Sequence, residues 1–406
     1  MKHVVLIAPF LGPNMVRCMR AFAALEDVQL GIVGLEPAER LPPDVRSAIA
    51  AHRQVRDVAD AAQLVEACRA IAREWGGRLD RVEGYLEQLQ VPLADARDAL
   101  RVDGLGGEAA RNFRDKNRMK RVLASAGLPV ARQALVHGAD DARRFVGAVG
   151  YPIVLKPLAG LGARNTLRVT DDDQLFSALN QLLPSDAQPV QAEEFVQGEE
   201  HTFETVMIDG APVWSSSTFY LPGPLQVLEN AWMQYCLLLP REASMPHVEA
   251  FRGTNAAALR ALGMRTGLSH MEWFLRRDGS SVVSEVGARP PGANIMPLIE
   301  AAHDADPWAA WARLMVHRTW SMPERRYAVG CAFVRSMGRG NSVTSVSGVD
   351  ELQERIGSLV VAAKLPQPGQ PRSTHYEGDG WVIVRHPETR AVVDALRAVV
   401  TTLRIE

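Results

Sequence analysis

The stretch EWFLRRDGSSVVSE, residues 272–285, gives the clearest indication of the fold. Its residues favour a β-hairpin, because Asp278 and Gly279 are a preferred pair for a two-residue type I′ turn. With these two residues as the turn, Glu272 lies directly opposite Glu285, and both side chains share one face of the hairpin. Two like charges in this position destabilise a hairpin. The pattern therefore predicts a positive group between the two glutamates.

A divalent cation is the natural candidate for that positive group. Mg²⁺ is commonly bound by one or two carboxylates, with phosphates and water completing its coordination. Glu272 and Glu285 are therefore predicted to bind Mg²⁺ or Mn²⁺. The alternative is that both glutamates point to solvent on an edge hairpin, and the apolar neighbours Trp273, Phe274 and Val283 argue against it.

Arg289 stands four residues beyond Glu285, in the segment GARPPG. The prolines and glycines of this segment interrupt the strand and hold the backbone open. A guanidinium in such a segment can bind a carboxylate or an acyl phosphate through two parallel hydrogen bonds. Arg289 is therefore predicted to be catalytic, and the prediction rests on its closeness to the paired glutamates.

Lysine is scarce in this chain, where only five of the 45 basic residues are lysines. Three of the five fall within residues 116–156, which suggests that compact ammonium charges serve a phosphate group there. Lys156 ends a strand-like run and precedes a segment that contains Gly160 and Gly162. The N–H groups of such a loop can close over a triphosphate.

The motifs that define other nucleotide-binding folds are missing from the sequence. The first strand is followed by LGPN at residues 11–14, which lacks the GxGxxG fingerprint, so no dinucleotide site is predicted. The P-loop pattern GxxxxGK[ST] is missing as well, which excludes a Walker-type phosphate site.

The order of the predicted elements indicates an α/β protein of more than one domain. A chain of 406 residues exceeds the size at which one hydrophobic core keeps growing. Strand-like runs at residues 4–8 and 30–33 alternate with a helical stretch at residues 59–75, which is typical of a parallel α/β layer. A single connecting helix is expected over residues 111–123, and a closing helix over residues 387–403.

The composition excludes several classes of protein. Hydrophobic residues make up 47% of the chain and charged residues 23%, which are ordinary values for a globular protein. A net charge of -2 without a basic block argues against nucleic-acid binding, and no apolar run is long enough for a membrane span. The four cysteines form no CxxC pair, which favours a reduced, cytoplasmic protein.

The motifs between about residues 80 and 330, taken in order, resemble those of the ATP-grasp ligases. The segment RDK at residues 114–116 is similar to the one that enters the grasp domain and supplies Lys116 as a phosphate-binding residue. Lys156 resembles the second phosphate-binding lysine of the family, and the two glycines after it resemble the glycine-rich lid.

The segment EEFVQGEE, residues 193–200, resembles the hinge of the same family. The resemblance implies that Glu193 contacts the adenine amino group. It also implies that Glu194, Phe195 and Val196 contact the edge of the base along the hinge, and that Glu200 contacts the ribose hydroxyls.

The end of the second metal strand departs from the usual pattern of the family. Arg289 keeps the family's arginine, but Gly287 occupies the position of its metal-binding asparagine. This combination resembles the L-amino acid (dipeptide) ligase branch more than the D-alanine ligases or the biotin carboxylases. The third ligand is left open, with water, Asn294 or a phosphate oxygen as alternatives. The substrate residues that the resemblance adds are His270, Glu229 and Ala293.

The resemblance implies an ATP-grasp fold of mixed α/β and α+β class in three domains. The expected domains are an N-terminal Rossmann-like domain (1–112), the ATP-grasp domain (113–325) with its lid at about 125–195, and a small C-terminal α+β cap (326–406).

A reaction is implied as well. ATP and two Mg²⁺ (or Mn²⁺) ions convert a substrate carboxylate into an acyl phosphate, which an amine attacks to give an amide or peptide bond, ADP and phosphate. Small-molecule carboxylates and amines are the implied partners, and a homodimer is an expectation of the same kind. The alternatives are a biotin-carboxylase-like enzyme that uses bicarbonate, against which Gly287 counts, and a non-catalytic ATP-binding protein of this fold.

Overall fold

The computed structural model describes residues 1–158, 166–230, 233–338 and 340–406. Gly160 and Gly162, which are expected in a loop over the phosphates, lie outside the described residues. The described chain contains three sheets of four or more strands, with helices packed against them.

The N-terminal part is a parallel sheet with helices on both faces, as the sequence predicted. Its elements are β1 (Lys2–Ile7), α1 (Pro13–Ala23), β2 (Val28–Gly34), α2 (Pro43–Ala48), β3 (Ala51–Gln54), α3 (Ala61–Glu74), β4 (Arg81–Glu83) and α4 (Gln90–Leu100). The strand order is β3-β2-β1-β4, and each neighbouring pair is parallel. Short 3₁₀ turns lie at Ala38–Arg40 and Glu87–Leu89.

Both faces of β1 are buried, which explains its unbroken apolar run. Val4 and Leu6 belong to the core on one face, which includes α1 and Trp308 from much later in the chain. Val5 and Ile7 belong to the core on the other face, which includes α3 and α4. The first sheet is therefore held against a distant part of the chain through the face that α1 covers.

Two helices, α5 (Gly107–Arg114) and α6 (Lys116–Ser125), replace the single helix expected over residues 111–123. The prediction was wrong because Asp115 leaves the helical conformation and caps α6, where its carboxylate accepts a backbone N–H of the first turn at 2.9 Å. Aspartate is among the residues preferred at this position. The break makes Lys116 the first residue of α6.

An antiparallel four-stranded sheet follows, within the range expected for the lid. Its elements are β5 (Gln133–Val136), α7 (Ala139–Val149), β6 (Ile153–Pro157), β7 (Leu167–Val169), α8 (Asp172–Leu182) and β8 (Val190–Glu194). The strand order is β5-β8-β6-β7. Phe145 of α7 and Leu175 of α8 share a core with Ile153 and Leu155 of β6, so β6 is a buried strand that presents Lys156 near its end.

A large antiparallel sheet begins in the middle of the chain. Its first elements are β9 (Glu199–Ile208), β10 (Ala211–Ser216), β11 (Phe219–Leu221), α9 (Pro224–Glu229), β12 (Tyr235–Leu239), α10 (Pro246–Ala261), β13 (Gly267–Leu275), β14 (Ser281–Gly287), α11 (Ile295–His303) and α12 (Pro307–His317). Strand β9 pairs with β13 along nine residues, and this pair forms the base on which the β13–β14 hairpin rests.

The C-terminal elements extend the same sheet. They are β15 (Ala328–Val334), β16 (Val346–Ser347), α13 (Val349–Ile356), β17 (Val360–Lys364), β18 (Gly380–His386), α14 (Thr389–Thr402) and β19 (Arg404–Ile405), with a 3₁₀ turn at Gly357–Leu359. The path of the nine-stranded sheet is β14-β13-β9-β11-β12-β15-β18-β17, and β10 pairs with β9. Because β12 pairs with β15, the sheet runs without a break across the domain boundary expected at residue 326.

The hairpin of β13 and β14 has the predicted register where it matters, since Glu272 pairs with Glu285. The turn differs from the two-residue prediction, because five residues, 276–280, connect the strands. A β-bulge at Ser284 compensates, with a register shift between Glu272 and Trp273. The longer connection and the bulge cancel each other in the register, so both carboxylates lie on one face. Bulges often re-aim side chains in this way beside active sites.

The cysteines are structural in this fold. Cys18, Cys68, Cys236 and Cys331 are all buried and carry no disulfide. Burial raises the pKa of Cys68 and of Cys236 to about 12, so both are thiols at neutral pH. Within the described ranges, no helix combines the length and the apolar character that a membrane span needs.

A buried ion pair joins β4 to α4. The side chains of Arg97 and Glu83 are 5% and 1% exposed, and the guanidinium lies 2.6 Å from the carboxylate. Arg97 Nε also donates to the carbonyl oxygen of Val82 at 2.7 Å. Burial raises the pKa of Glu83 even though Arg97 opposes the shift. Removing one partner leaves the other charge buried and unpaired, which costs far more than breaking a surface pair.

We expect Arg97→Met to lower the free energy of unfolding by about 3–5 kcal/mol, because Glu83 loses its counter-charge. The exposed pair of Arg53 and Glu74 is the matched control, and Arg53→Met should cost at most about 1 kcal/mol. Urea denaturation followed by circular dichroism measures both values. The double variant Glu83→Gln/Arg97→Met should recover part of the loss. Equal costs for Arg97→Met and Arg53→Met would contradict the unpaired charge as the cause.

Candidate active site

One cavity of about 550 Å³ is lined by residues of the N-terminal part, of the antiparallel four-stranded sheet and of the nine-stranded sheet. The N-terminal part contributes the segment after β4, which includes Glu87, and the sheet of β5 to β8 contributes residues of β6 and β8. The hairpin of β13 and β14 forms another wall, and residues 373–378 of the C-terminal part form the last. The cavity therefore exists only where these parts of the chain pack together.

Three lysines converge on this cavity. Lys116 and Lys120 are four residues apart on α6, so they share one face of the helix, and Lys156 projects from β6. Glu193 of β8 lies between two of them, with Oε2 2.9 Å from Nζ of Lys120 and Oε1 2.9 Å from Nζ of Lys156. Three ammonium groups and one bridging carboxylate form a positive patch in the cavity wall.

The charges of this patch are set by burial and by each other. Burial acts to raise the pKa of Glu193, but the ammonium groups of Lys120 and Lys156 outweigh it and lower this pKa to about 2. Burial lowers the pKa of Lys120, which is 1% exposed, despite the attraction of Glu193. For Lys156, the carboxylates of Glu193 and Glu285 outweigh burial and raise the pKa. Glu193 and Lys156 are therefore ionised at neutral pH.

The opposed glutamates reach the cavity, with the side chains of Glu272 and Glu285 27% and 34% exposed. The Lys116 ammonium contacts Glu285 directly. Burial acts to raise the pKa of Glu285, but Lys116 and Lys156 lower it to about 2, so this carboxylate is ionised at neutral pH. Two hard oxygen donors on one face fit a magnesium ion.

The carboxylate pair is incomplete as a metal site. Among the residues that the structure describes, no three His, Cys, Asp or Glu side chains group together as metal ligands. A magnesium ion at Glu272 and Glu285 would therefore take its other ligands from phosphate oxygens and water, which is its common mode of binding in nucleotide sites.

Neighbouring polar side chains contact Glu272 and hold its carboxylate in place. The Tyr220 hydroxyl donates to Glu272 Oε1 at 3.1 Å, and His270 Nε2 lies 3.8 Å from the same oxygen. His270 Nδ1 is 2.9 Å from Oε1 of Glu204, which is fully buried. Burial acts to lower the pKa of His270, but its hydrogen bond with Glu204 and the nearby carboxylate of Glu272 raise it to about 9. His270 therefore lines the cavity as a cation beside Glu272.

Arg289 forms an ion pair with a residue 202 positions away in the chain, because its Nε donates to the carboxylate of Glu87. Its Nη1 donates to the carbonyl oxygen of Pro290 at 2.9 Å. Arg114 Nε lies 3.8 Å from the second oxygen of Glu87. The side chains of Arg289 and Glu87 are 17% and 11% exposed, so the cavity wall presents a cation and an anion side by side.

The glycine at the expected asparagine position lies next to this ion pair. A Cβ at Gly287 would stand 3.5 Å from Cγ of Arg289 and 3.6 Å from an oxygen of Glu87. A longer side chain would therefore compete with the ion pair for space. Asn294 directly precedes α11, is not among the residues that line the cavity, and donates to Sγ of Cys331 at 3.7 Å.

Comparison with known proteins agrees with the fold that the sequence resemblance implied. A sequence model of the family described as carbamoyl-phosphate synthase L chain, ATP binding domain, matches residues 115–211. The crystal structure of an L-amino acid ligase from Bacillus licheniformis superposes with a TM-score of 0.76 at 18% identity, covering 100% of this chain and 98% of that one. The chain therefore has the ATP-grasp fold.

The curated relatives have low sequence identity to this chain and differ from one another in length. The L-arginine-specific L-amino acid ligase of Bacillus subtilis is 23% identical over 291 residues, which cover 70% of this chain and 69% of that protein. The carbamoyl phosphate synthase large chain of Beutenbergia cavernae is 27% identical over 226 residues, which cover 53% of this chain and 19% of that protein. The chain thus matches about a fifth of the length of such synthases.

The segment of residues 193–200 runs along an apolar slot of the cavity. Val196 shares a buried cluster with Ala131 and Val282, and Phe274 packs against it. All four line the cavity, and so does Phe195, whose ring lies 5.3 Å from the Arg168 guanidinium. A slot between apolar side chains suits a planar base.

The acidic residues of the 193–200 segment differ in their surroundings. The Glu194 carboxylate faces Arg132 at 2.5 Å and Arg276 at 3.3 Å. Burial and the neighbouring carboxylate of Glu272 raise the pKa of Glu200 well above its usual range. Both glutamates line the cavity, and the nucleotide contacts assigned to them stay predictions.

The three residues that the resemblance assigned to the substrate do not all line the cavity. His270 and Ala293 line the cavity, and Ala293 has a backbone φ of 49° just before α11. Glu229 is not among the lining residues, and its carboxylate instead pairs with Arg168 at 2.8 Å. The tertiary structure therefore places two of the three, His270 and Ala293, at the cavity.

Sequence reasoning missed Lys120, Glu87 and Tyr220 as members of the site. Lys120 carried a signal, because it is one of only five lysines and stands four residues after Lys116. Glu87 and Tyr220 carried none, since their partners Arg289 and Glu272 are far away in the sequence.

His201, next to Glu200, faces an aromatic cluster and is 4% exposed. Its ring centroid lies 4.5 Å from that of Phe219, 5.0 Å from that of Trp273 and 5.5 Å from that of His247. Burial, aided by His247, lowers the pKa of His201 to about 4. The unfolded chain, with the ordinary value of 6.5, binds this proton more readily than the folded chain.

We expect His201 to weaken folding as the pH falls from 6.5 to about 4, where the unfolded state binds the extra proton. The cost is at most about 1.4 kcal/mol per pH unit. Urea denaturation between pH 7 and pH 4 measures it, and His201→Phe should lose stability less steeply than the wild type. His137→Phe, at a histidine side chain 40% exposed, is the control. Equal slopes for wild type and His201→Phe would exclude this role.

Proposed function

We propose that this ATP-grasp protein is a ligase that joins a carboxylate to an amine and converts ATP to ADP and phosphate. The observation that carries the proposal is that one cavity holds three lysines, two opposed glutamates and one arginine. A positive patch for phosphates, an acidic pair for a hard cation and a guanidinium for a carboxylate are what acyl-phosphate chemistry needs.

Magnesium is the cation that the acidic pair suits best, and two ions are proposed. When bound, magnesium neutralises charge on the triphosphate and orients its terminal phosphate. Glu285 is kept ionised by Lys116 and would be ready as a ligand at neutral pH. Tyr220 and His270 contact Glu272, so this carboxylate would keep its direction when a ligand binds.

The lysines are proposed to bind the phosphates as point charges. Glu193 bridges Lys120 and Lys156, which fixes the ammonium groups before the nucleotide arrives and lowers the entropy cost of ordering them. The apolar slot beside Val196 is proposed to hold the adenine, with the polar groups of Glu193 and Glu194 at its end.

An amino acid is the proposed carboxylate substrate. An amino acid carries one carboxylate and one ammonium, and the cavity wall presents Arg289 and Glu87 side by side. A bound zwitterion would exchange this internal ion pair for two external ones and keep both charges neutralised. The ligase activities named for the two Bacillus relatives support this class of substrate.

The reaction follows from this placement. A carboxylate oxygen attacks the γ-phosphorus, the bond to the bridging oxygen breaks, and ADP leaves with that electron pair. The amine then attacks the acyl carbon, and phosphate leaves. Arg289 is proposed to bind the carboxylate before the first step and to stabilise the oxyanion of the second.

The proposed setting is the reducing cytoplasm, where small-molecule carboxylates and amines are the partners. The four buried cysteines without a disulfide support this setting, because disulfides are rare in cytosolic proteins.

Phosphate release from ATP and Mg²⁺ across a matrix of amino acids and other carboxylates, alone and in pairs, tests the function. Mass spectrometry of the active mixtures identifies the condensed product. We expect release to need both a carboxylate and an amine. Release that needs bicarbonate and biotin would identify a carboxylase instead, and tight ATP binding without release in any mixture would argue for a non-catalytic protein.

We expect Glu285→Gln to lower turnover about 100-fold or more, because a bound metal contributes several kcal/mol of charge stabilisation and each 1.4 kcal/mol is tenfold in rate. The measurement is kcat as a function of magnesium concentration. The control is Glu354→Gln, on the exposed face of α13, which should behave as wild type. A Glu285→Gln variant with wild-type turnover and magnesium dependence would refute the ligand role.

A further inference from the structure

A loop of the C-terminal part, residues 371–379, reaches the cavity and has no role in the reaction as described above. We refer to it as the C-terminal loop. It follows β17 and precedes β18, far from the hairpin in sequence. The residues by which it lines the cavity are Ser373, His375, Tyr376, Glu377 and Gly378.

The C-terminal loop is held in place by polar contacts at its two ends. Asp379 is 7% exposed, and its carboxylate accepts the backbone N–H of Ser336 at 2.7 Å and that of Ser373 at 2.6 Å. Arg372 donates to the carbonyl oxygens of Ser336 and Gly338 at 2.7 Å and 2.5 Å. The loop is therefore ordered before a ligand binds, as a recognition element should be.

Gly378 adds a constraint to the same loop. Its backbone φ is 67°, in the left-handed region that favours glycine. A Cβ there would stand 2.5 Å from the carbonyl oxygen of Val334, so no other residue fits without moving the loop. The two residues before it, Tyr376 and Glu377, are thereby given a defined position at the cavity.

Aromatic contacts link Tyr376 to the metal carboxylate. The Tyr376 ring meets the Tyr235 ring edge-on at 5.2 Å, and Tyr235 stacks on Phe333 at 5.3 Å. Tyr220 packs against Tyr235 at 5.8 Å and donates its hydroxyl to Glu272. The half-buried Tyr376 thus stands on a continuous aromatic layer that ends at the predicted magnesium site.

Glu377 differs from the other acidic residues of the cavity, which are Glu87, Glu193, Glu194, Glu200, Glu272 and Glu285. Five of these six contact a lysine, arginine or histidine. The sixth, Glu200, has its pKa raised well above the usual range by burial and by Glu272. Partial burial of the Glu377 carboxyl raises its pKa, and a hydrogen bond with Tyr376 opposes that shift. Glu377 keeps an exposed surface and forms no ion pair with any described residue. It is the carboxylate that is left for an external cation.

We propose that Tyr376 and Glu377 form the subsite that binds the ammonium group of the acceptor amine. The inference rests on the proposed ligase function and adds to it the place and the charge of the second substrate. An ammonium group is attracted both by a carboxylate and by the face of an aromatic ring. Arg289 and Glu87 are assigned to the first substrate, so a separate acidic group is needed for the second.

The same subsite supplies the proton balance of amide formation. The ammonium passes one proton to the Glu377 carboxylate and becomes a neutral amine, whose lone pair forms the C–N bond at the acyl carbon. The C–O bond to phosphate breaks, and its electron pair leaves with the phosphate, which takes the second proton from nitrogen. Glu377 returns its proton to solvent before the next cycle.

Hydroxylamine separates activation of the carboxylate from use of the amine, because it is largely uncharged at neutral pH and traps an acyl phosphate as a hydroxamate. The twenty L-amino acids serve as carboxylates in one assay, with hydroxylamine, ATP and Mg²⁺. In a second assay they also serve as acceptor amines, and the dipeptide is measured. Wild type, Glu377→Gln and Tyr376→Leu are compared, with Glu354→Gln as the matched control.

For Glu377→Gln we expect hydroxamate formation within twofold of wild type, and a loss of about 10- to 100-fold in kcat/KM for the acceptor amine, the usual effect of losing a hydrogen bond to a charged group. Tyr376→Leu should raise the KM of the amine by about three- to tenfold. Thermal melting of each variant confirms that it is folded.

Two results would overturn the inference while leaving the ligase function intact. The first is wild-type kcat/KM for the amine in Glu377→Gln, and the second is an equal loss of hydroxamate and dipeptide, which would place Glu377 in the activation step. A wild-type protein that forms no hydroxamate with any of the twenty amino acids would overturn the proposed amino-acid ligase function itself, and the inference with it.

Discussion

Two carboxylates that face each other across a hairpin are the constraint on which the rest of the site depends. Glu272 and Glu285 are directly opposed in β13 and β14, and like charges at that spacing repel. The structure supplies positive charge on both sides, since Lys116 contacts Glu285 and His270 Nε2 lies 3.8 Å from Glu272. The hairpin can therefore fold with its carboxylate oxygens directed to the cavity.

The same need for neutralisation orders the rest of the cavity. Lys120 and Lys156 share the carboxylate of Glu193, and Arg289 shares that of Glu87. These groups are largely removed from water, so each charge depends on its partner. A ligand that carries phosphate and carboxylate groups can take over these partners, because the charges of the cavity are complementary to those of the proposed substrates.

The register of the hairpin was predicted correctly from a premise that was wrong in detail. A two-residue turn was expected, but the connection has five residues and a bulge at Ser284 restores the pairing of Glu272 with Glu285. The expected helix over residues 111–123 failed for a local reason, because Asp115 caps a new helix. In both places the type of element was predictable, while the detail depended on competing turn and capping geometries of similar energy.

The sequence by itself determined the parallel first sheet, the buried strand that ends near Lys156 and the pairing of the two glutamates, because these depend on periodicity and turn chemistry within short segments. Only the tertiary structure decided that Glu87, Lys120 and the C-terminal loop join them in one cavity. Arg289 and Glu87 are 202 residues apart, and such a contact depends on how separate sheets pack against each other, for which a local sequence pattern carries no information.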